Sequence, residues 1–127
     1  MKSIRATGAV AAMMLAAALS SAPNAQAAAG DCIGSLAASE WGTKGHVMLF
    51  RESNGWCAMA YHSQAYWGVY LPTAVQMVRI DGAVSEQDHG NYRYYAGPVR
   101  WAFAPNGLVY ASAWISDEHL VTGIAYP

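Results

Sequence analysis

The chain has 127 residues, with seven Lys and Arg against eight Asp and Glu, and a formal net charge of −1. That length suits one modest domain. The near-neutral balance, without any basic cluster, removes the electrostatic driving force that nucleic-acid binding needs, and disfavours an anionic membrane surface as a partner.

Lys2 and Arg5 form a basic start, Ala9 to Leu19 is an uncharged apolar run, and Ala25-Gln26-Ala27 is an A-x-A cleavage site. This pattern predicts a bacterial-type secretory signal peptide over residues 1–27. The apolar run is about half the ~20 residues a spanning helix needs, so no membrane anchor is expected. Cleavage after Ala27 leaves 28–127 as a single β-rich exported domain; Ala27-Ala28-Ala29 also allows cleavage after Ala29. Without Lys2 and Arg5 the mature part holds five bases against eight acids, a net charge of −3. The five Trp, eight Tyr and two Phe all lie in it. They suit either a small core filled with large side chains or a contact surface for a glycan or protein. The two cysteines are Cys32 and Cys57. An even count in an exported chain implies a bridge, and only one pairing is possible.

Residues 28–44 read as a lead-in, with Leu36–Trp41 able to make one helical turn and Gly42 to Gly45 forming a bend. His46–Arg51 is the first strand. Asn54-Gly55 signals a hairpin, and Trp56–His62 returns. In that return strand Trp56, Ala58 and Ala60 oppose Cys57, Met59 and Tyr61, and Cys57 is expected to point inward with its neighbours. Tyr66–Leu71 reads as a third strand ended by Pro72, and Val75–Asp81 as a fourth closed by an Asp81-Gly82 turn. Ser85–Gly90 reads as a solvated acidic loop. Asn91–Tyr95 and Val99–Ala104 follow as strands around Gly97-Pro98. Pro105-Asn106-Gly107 is expected to be a hairpin turn, with Leu108–Ile115 returning. Ser116–His119 reads as a loop before a last strand, Leu120–Tyr126. About seven short strands at even spacing, without a convincing helix, predict an all-β fold, a small antiparallel sandwich or barrel with one disulfide.

The segment Gly90–Val99, Gly-Asn-Tyr-Arg-Tyr-Tyr-Ala-Gly-Pro-Val, is the densest unusual wording in the chain. Two registers are open. If strand parity runs straight through, Tyr95 shares a face with Val99, Trp101 and Phe103. If Gly97-Pro98 is a bulge, Tyr92 and Tyr94 join that face and Tyr95 turns outward. Stacking of a sugar ring needs a flat exposed aromatic, and Tyr92, Tyr94, Tyr95 and Trp101 are the candidates for ligand or partner contact. Trp41, Trp56, Trp67 and Trp114 are expected to be core or half-buried.

Catalytic signatures are missing from the sequence. Ser, His and Asp occur without a G-x-S-x-G elbow. His46, His62, His89 and His119 are dispersed, and Asp117-Glu118-His119 alternates across a strand, so no metal ligand set is selected. Nothing selects two of the eight acids as a glycosidase pair. No Gly-rich phosphate loop exists. The expectation is a non-enzymatic protein without catalytic residues, metal or cofactor.

Gly90-Asn91-Tyr92 and Tyr95-Ala96-Gly97-Pro98-Val99, with the hairpin Leu49–Ala58 and Cys32, resemble the small secreted actinobacterial proteins grouped as the spore-associated protein A family. The resemblance covers roughly Asp31 to Ile115. It departs in one respect. The family pattern carries a further Cys and a Trp-Gly-rich end after the Gly-Pro-Val strand, whereas Asn106-Gly107-Leu108-Val109-Tyr110 here has no Cys. The resemblance implies secretion, a β-rich domain and association with spore or cell-envelope components. It implies no known catalysis.

Overall fold

The computed structural model describes residues 4–5, 7–8, 31–105 and 107–127. The chain divides into two units, Met1–Asp31 and Cys32–Pro127. In the first, Ile4–Arg5 pairs in parallel with Thr7–Gly8; the rest of the expected signal peptide, 1–27, lies outside the described residues. No described helix is long and apolar enough to cross a membrane.

The second unit is an all-β antiparallel sandwich of eight strands in two four-stranded sheets. The strands are β1 (Ser35–Trp41), β2 (Gly45–Arg51), β3 (Gly55–His62), β4 (Leu71–Arg79), β5 (Asp88–Tyr92), β6 (Tyr95–Ala102), β7 (Val109–Ile115) and β8 (Glu118–Val121). The first sheet runs β1-β2-β3-β6 and the second β8-β7-β4-β5. The chain therefore changes sheet after β3, after β5 and after β6.

Alternation decides what lies between the sheets. Val47 and Leu49 of β2, Trp56, Ala58 and Ala60 of β3, and Ala96 and Val99 of β6 meet Val75 and Met77 of β4 and the Val109, Ala111, Ala113, Ile115 series of β7. Their burial is the main force holding the sheets together, each large side chain contributing about 1.5–3 kcal/mol. Phe103 closes one end, edge-on to Trp56 with ring centroids 5.2 Å apart. Polar ties add registry. Both carboxylate oxygens of Glu118, on β8, accept backbone N–H groups of the β1–β2 turn, from Thr43 at 2.8 Å and Lys44 at 2.6 Å.

Several expected elements are corrected by tertiary pairing. Leu36–Trp41 is not a helical turn but part of β1, because its ladder to β2, interrupted only by a bulge between Leu36 and Ala38, outweighs its Ala-rich propensity. Tyr66–Leu71 is not a strand. A 3-10 turn, Gln64–Tyr66, begins the passage from one sheet to the other. Pro72 lies inside β4 rather than ending it. There it stands opposite Asn91 of the edge strand β5, and its carbonyl accepts the Ser116 N–H at 2.7 Å. The Pro105–Gly107 connection joins different sheets, so it is not a hairpin; Asn106 itself lies outside the described residues. Asp88–Gly90 extend β5 instead of the preceding loop, and Ser116-Asp117 is a two-residue turn leading directly into β8. The last strand stops at Val121, after which the Thr122 N–H donates to the Ala111 carbonyl at 3.0 Å and Ala125 bridges back to Val109.

Cys57 is also corrected. It points away from the sandwich core, on the face opposite Trp56, Ala58 and Ala60. It is nevertheless fully buried and bonded to Cys32, 25 residues away.

Candidate functional site

The tyrosine stretch forms a corner between the sheets. Ala58 of β3 faces Val99 and Ala60 faces Ala96, so β6 carries one residue more than β3 between these pairs. This is the bulge reading of Gly97-Pro98. Gly97 has φ +102, and a Cβ there would lie 2.7 Å from the Ala58 carbonyl oxygen. Only glycine fits both the backbone and the space. The Asp88 carboxylate holds the corner from the other sheet. One oxygen accepts the Gly97 N–H at 2.7 Å and the other the Tyr92 hydroxyl at 2.5 Å. That hydrogen bond, with burial and the carboxylate charge, pushes Tyr92 up to about 12.

The four aromatics expected to make contacts are dispersed by this corner. Tyr92 ends β5 and packs against the core. Tyr94 lies in the crossing, half-buried, with its ring 4.8 Å from that of Trp67. Tyr95 turns to the outer face of the first sheet and is buried there, its ring 5.7 Å from that of Tyr61. Trp101 is half-buried beneath the Arg79 guanidinium, 5.4 Å from its ring centroid. They do not form one platform.

The outer face of the first sheet carries a rung of aromatic rings across all four strands. Trp41 pairs with His46, His46 with Tyr61, and Tyr61 with Tyr95. Trp41 and His46 stack at 3.8 Å. Burial alone pushes His46 down to about 4, so it stays neutral at ordinary pH. Trp41, expected to be core or half-buried, is 65 % exposed.

The outer face of the second sheet has a matching rung with one small member. His119 of β8 pairs with Trp114 of β7, Trp114 with Ala74 of β4, and Ala74 with His89 of β5. His119 and Trp114 stack almost parallel, centroids 3.9 Å apart and planes 8° apart. His119 Nε2 lies 2.9 Å from Ser112 Oγ, which fixes the ring behind the indole. Beyond Trp114 the Ala74 methyl leaves a shallow concavity of about 250 Å³, bordered also by Pro72, His89, Asn91 and Ser116. Sequence reasoning placed Trp114 among core or half-buried residues and His119 in a loop. The available signal was phase, since Trp114 alternates with Ser112 and Tyr110 against the Val109–Ile115 apolar series.

Chemistry can be weighed group by group. Ser112 and His119 form a hydroxyl–imidazole pair, but Ser112 is 4 % exposed and no described carboxylate bonds His119. The pair holds the imidazole in its stack against the indole. Cys32, Glu52 and Cys57 bring ligand atoms within 4.8 Å of one another, but both sulfurs are used in the disulfide. His62 is buried between the sheets. Thr73 Oγ1 donates to the Leu71 carbonyl, so His62 Nε2–H donates to Thr73 Oγ1 at 2.8 Å. Burial lowers its pKa and keeps it neutral. What remains is a rigid exposed indole beside an open groove with polar edges. Comparison with family models, curated proteins and solved structures finds no match.

Proposed function

We propose that this chain is an exported, non-enzymatic protein that associates with the spore or cell envelope, and that it binds there through the outer face of its second sheet. One observation carries the binding role: Trp114, 38 % exposed, is backed by a parallel His119 and borders an open groove. Part of the indole is covered by the fold and stacked on His119, and the remainder is a large apolar surface presented to solvent. Held rigid before contact, it costs little entropy on binding. The A-x-A leader, the cysteine pair and the resemblance to secreted spore-associated proteins support export and the envelope as the place of action.

Co-sedimentation of the purified mature protein with isolated envelopes or spores tests this reading. The wild type is expected in the pellet, and Trp114→Ala largely in the supernatant. Failure of the wild type to sediment would remove the envelope role. Equal retention of a folded Trp114→Ala variant would move the binding surface elsewhere.

A further inference from the structure

We infer that the Trp114 groove is a subsite for one ring of a neutral saccharide, seated between the Trp114 indole and the His89 imidazole. The inference rests on the binding role just proposed and names its ligand. Four observations lead to it.

The first is spacing. Trp114 and His89 stand on strands separated by β4, two strand spacings of about 4.8 Å each. Stacked rings on this same face need 3.9 Å per layer, as His119 and Trp114 show. A span of roughly 10 Å between Trp114 and His89 therefore leaves room for one flat ring above Ala74, and for no second one. The second is the volume. At about 250 Å³ the concavity is too small to engulf a drug-sized ligand but suits a single ring of a chain lying across an open face.

The third is the lining. Pro72, Thr73, Ala74, His89, Gly90, Asn91, Trp114 and Ser116 include no Asp, Glu, Lys or Arg. A phosphate or a uronic acid would find no cation there, and a basic peptide no carboxylate. The fourth is the kind of polar group present. The Asn91 amide both donates and accepts, as do the Ser116 hydroxyl and the imidazole. These are the partners that vicinal hydroxyls at the rim of a pyranose require, while its C–H face lies on the indole. A partner protein inserting an aromatic side chain would fill the same slot, but would leave the amide and hydroxyl at the rim without use.

The test is titration of the mature protein with soluble neutral oligosaccharides. The panel is a hexamer each of β-1,4-linked glucose, α-1,4-linked glucose and β-1,4-linked N-acetylglucosamine, followed by backbone and indole NMR shifts. At least one is expected to shift the Trp114 indole and the Ala74 and His89 amides. Trp114→Ala should weaken that binding at least about tenfold, the loss of one well-placed aromatic contact. Ala74→Leu, which keeps the indole and fills the slot, should weaken it comparably.

Absence of shifts with all three sugars, or binding unchanged in both folded variants, would overturn the inference. Shifts at these residues with a Trp- or Tyr-containing peptide and none with sugars would overturn it in favour of a protein partner. Envelope co-sedimentation run on the same variants separates the two levels. Retention that depends on Trp114, together with no sugar binding, would leave the envelope role standing and remove only the saccharide.

Discussion

The two sheets present outer faces of the same geometry that differ in how their middles are filled, although both leave a tryptophan exposed, Trp41 at 65 % and Trp114 at 38 %. Each carries a four-membered rung of side chains that includes a Trp–His stack, 3.8 Å between Trp41 and His46 on the first sheet and 3.9 Å between Trp114 and His119 on the second. On the first the rung continues through Tyr61 to Tyr95, and Cys57, Met59 and Tyr95 are at most 4 % exposed although they point away from the core. On the second the rung is broken by Ala74, and Trp114, His89 and His119 are exposed. The lesson is that pointing outward does not make a residue available. A sheet face keeps an open concavity where a small residue interrupts it, and becomes a second packing layer where large residues fill it and a disulfide crosses it.

The comparison breaks most severely at the disulfide. Replacing Cys32 and Cys57 together by Ala is expected to cost about 3.5 kcal/mol from the chain entropy of the loop alone, measured by urea unfolding. The outer face of the first sheet should then show raised hydrogen exchange at Cys57 and Met59 positions, while the Trp114 groove keeps its native shifts. Loss of both faces together would show that the two layers are not separable.

Gly97→Ala comes next. With φ +102 and the Ala58 carbonyl 2.7 Å from the new methyl, about 2–3 kcal/mol of stability should be lost. The damage should centre on β6 and Tyr95. An unfolding midpoint within error of wild type would contradict the fixed corner.

The same corner gives a pH signature. Tyr92 titrates near 12 in the fold against an ordinary value of 10, because its proton is held by Asp88. The stability this bond supplies is complete below about pH 10 and is lost as pH rises from there towards 12. Wild type should therefore lose more stability than Tyr92→Phe between pH 9 and pH 11.5 in parallel urea titrations. Identical pH dependence would remove the Tyr92–Asp88 bond from the account.

The smallest effects belong to the open face. Ser116 sits at φ +57 at the groove's edge. Ser116→Gly should relieve about 1–2 kcal/mol of left-handed strain, partly offset by glycine's extra backbone entropy, for a net gain of about 0.5–1 kcal/mol. Trp114→Ala should cost about 1–2 kcal/mol, from the lost stack on His119 and the indole area covered by the fold, while moving most of the protein out of the envelope pellet. A large destabilisation there would make Trp114 a packing residue like those of the first sheet.

Much of this was legible from residue order. The alternation Val109, Ala111, Ala113, Ile115 set the core face of β7, and Asn54-Gly55 and Asp81-Gly82 marked turns where the chain does turn. The cysteine pair fixed its own connectivity. The Gly97-Pro98 bulge was one of two readings that the wording allowed. Other features could not be read. Ala-rich Leu36–Trp41 has no strand propensity of its own and becomes one only by pairing with β2. The parity that sent Cys57 inward was right in phase and wrong in side, because period-2 alternation divides a strand into two faces without saying which one meets the other sheet.

The sequence by itself determined the class: short alternating strands, frequent turn residues and one possible bridge leave an antiparallel β-sandwich or barrel as the economical outcome. Those are local properties, set by backbone sterics and side-chain periodicity. Only the tertiary structure decided which strands share a sheet, and therefore that the tyrosine stretch is split between two of them. It alone brought Asp88 to Gly97 and set Trp114 between His119 and Ala74. Such contacts depend on strand order, and strand order is fixed by burial summed over the whole chain rather than by any one segment.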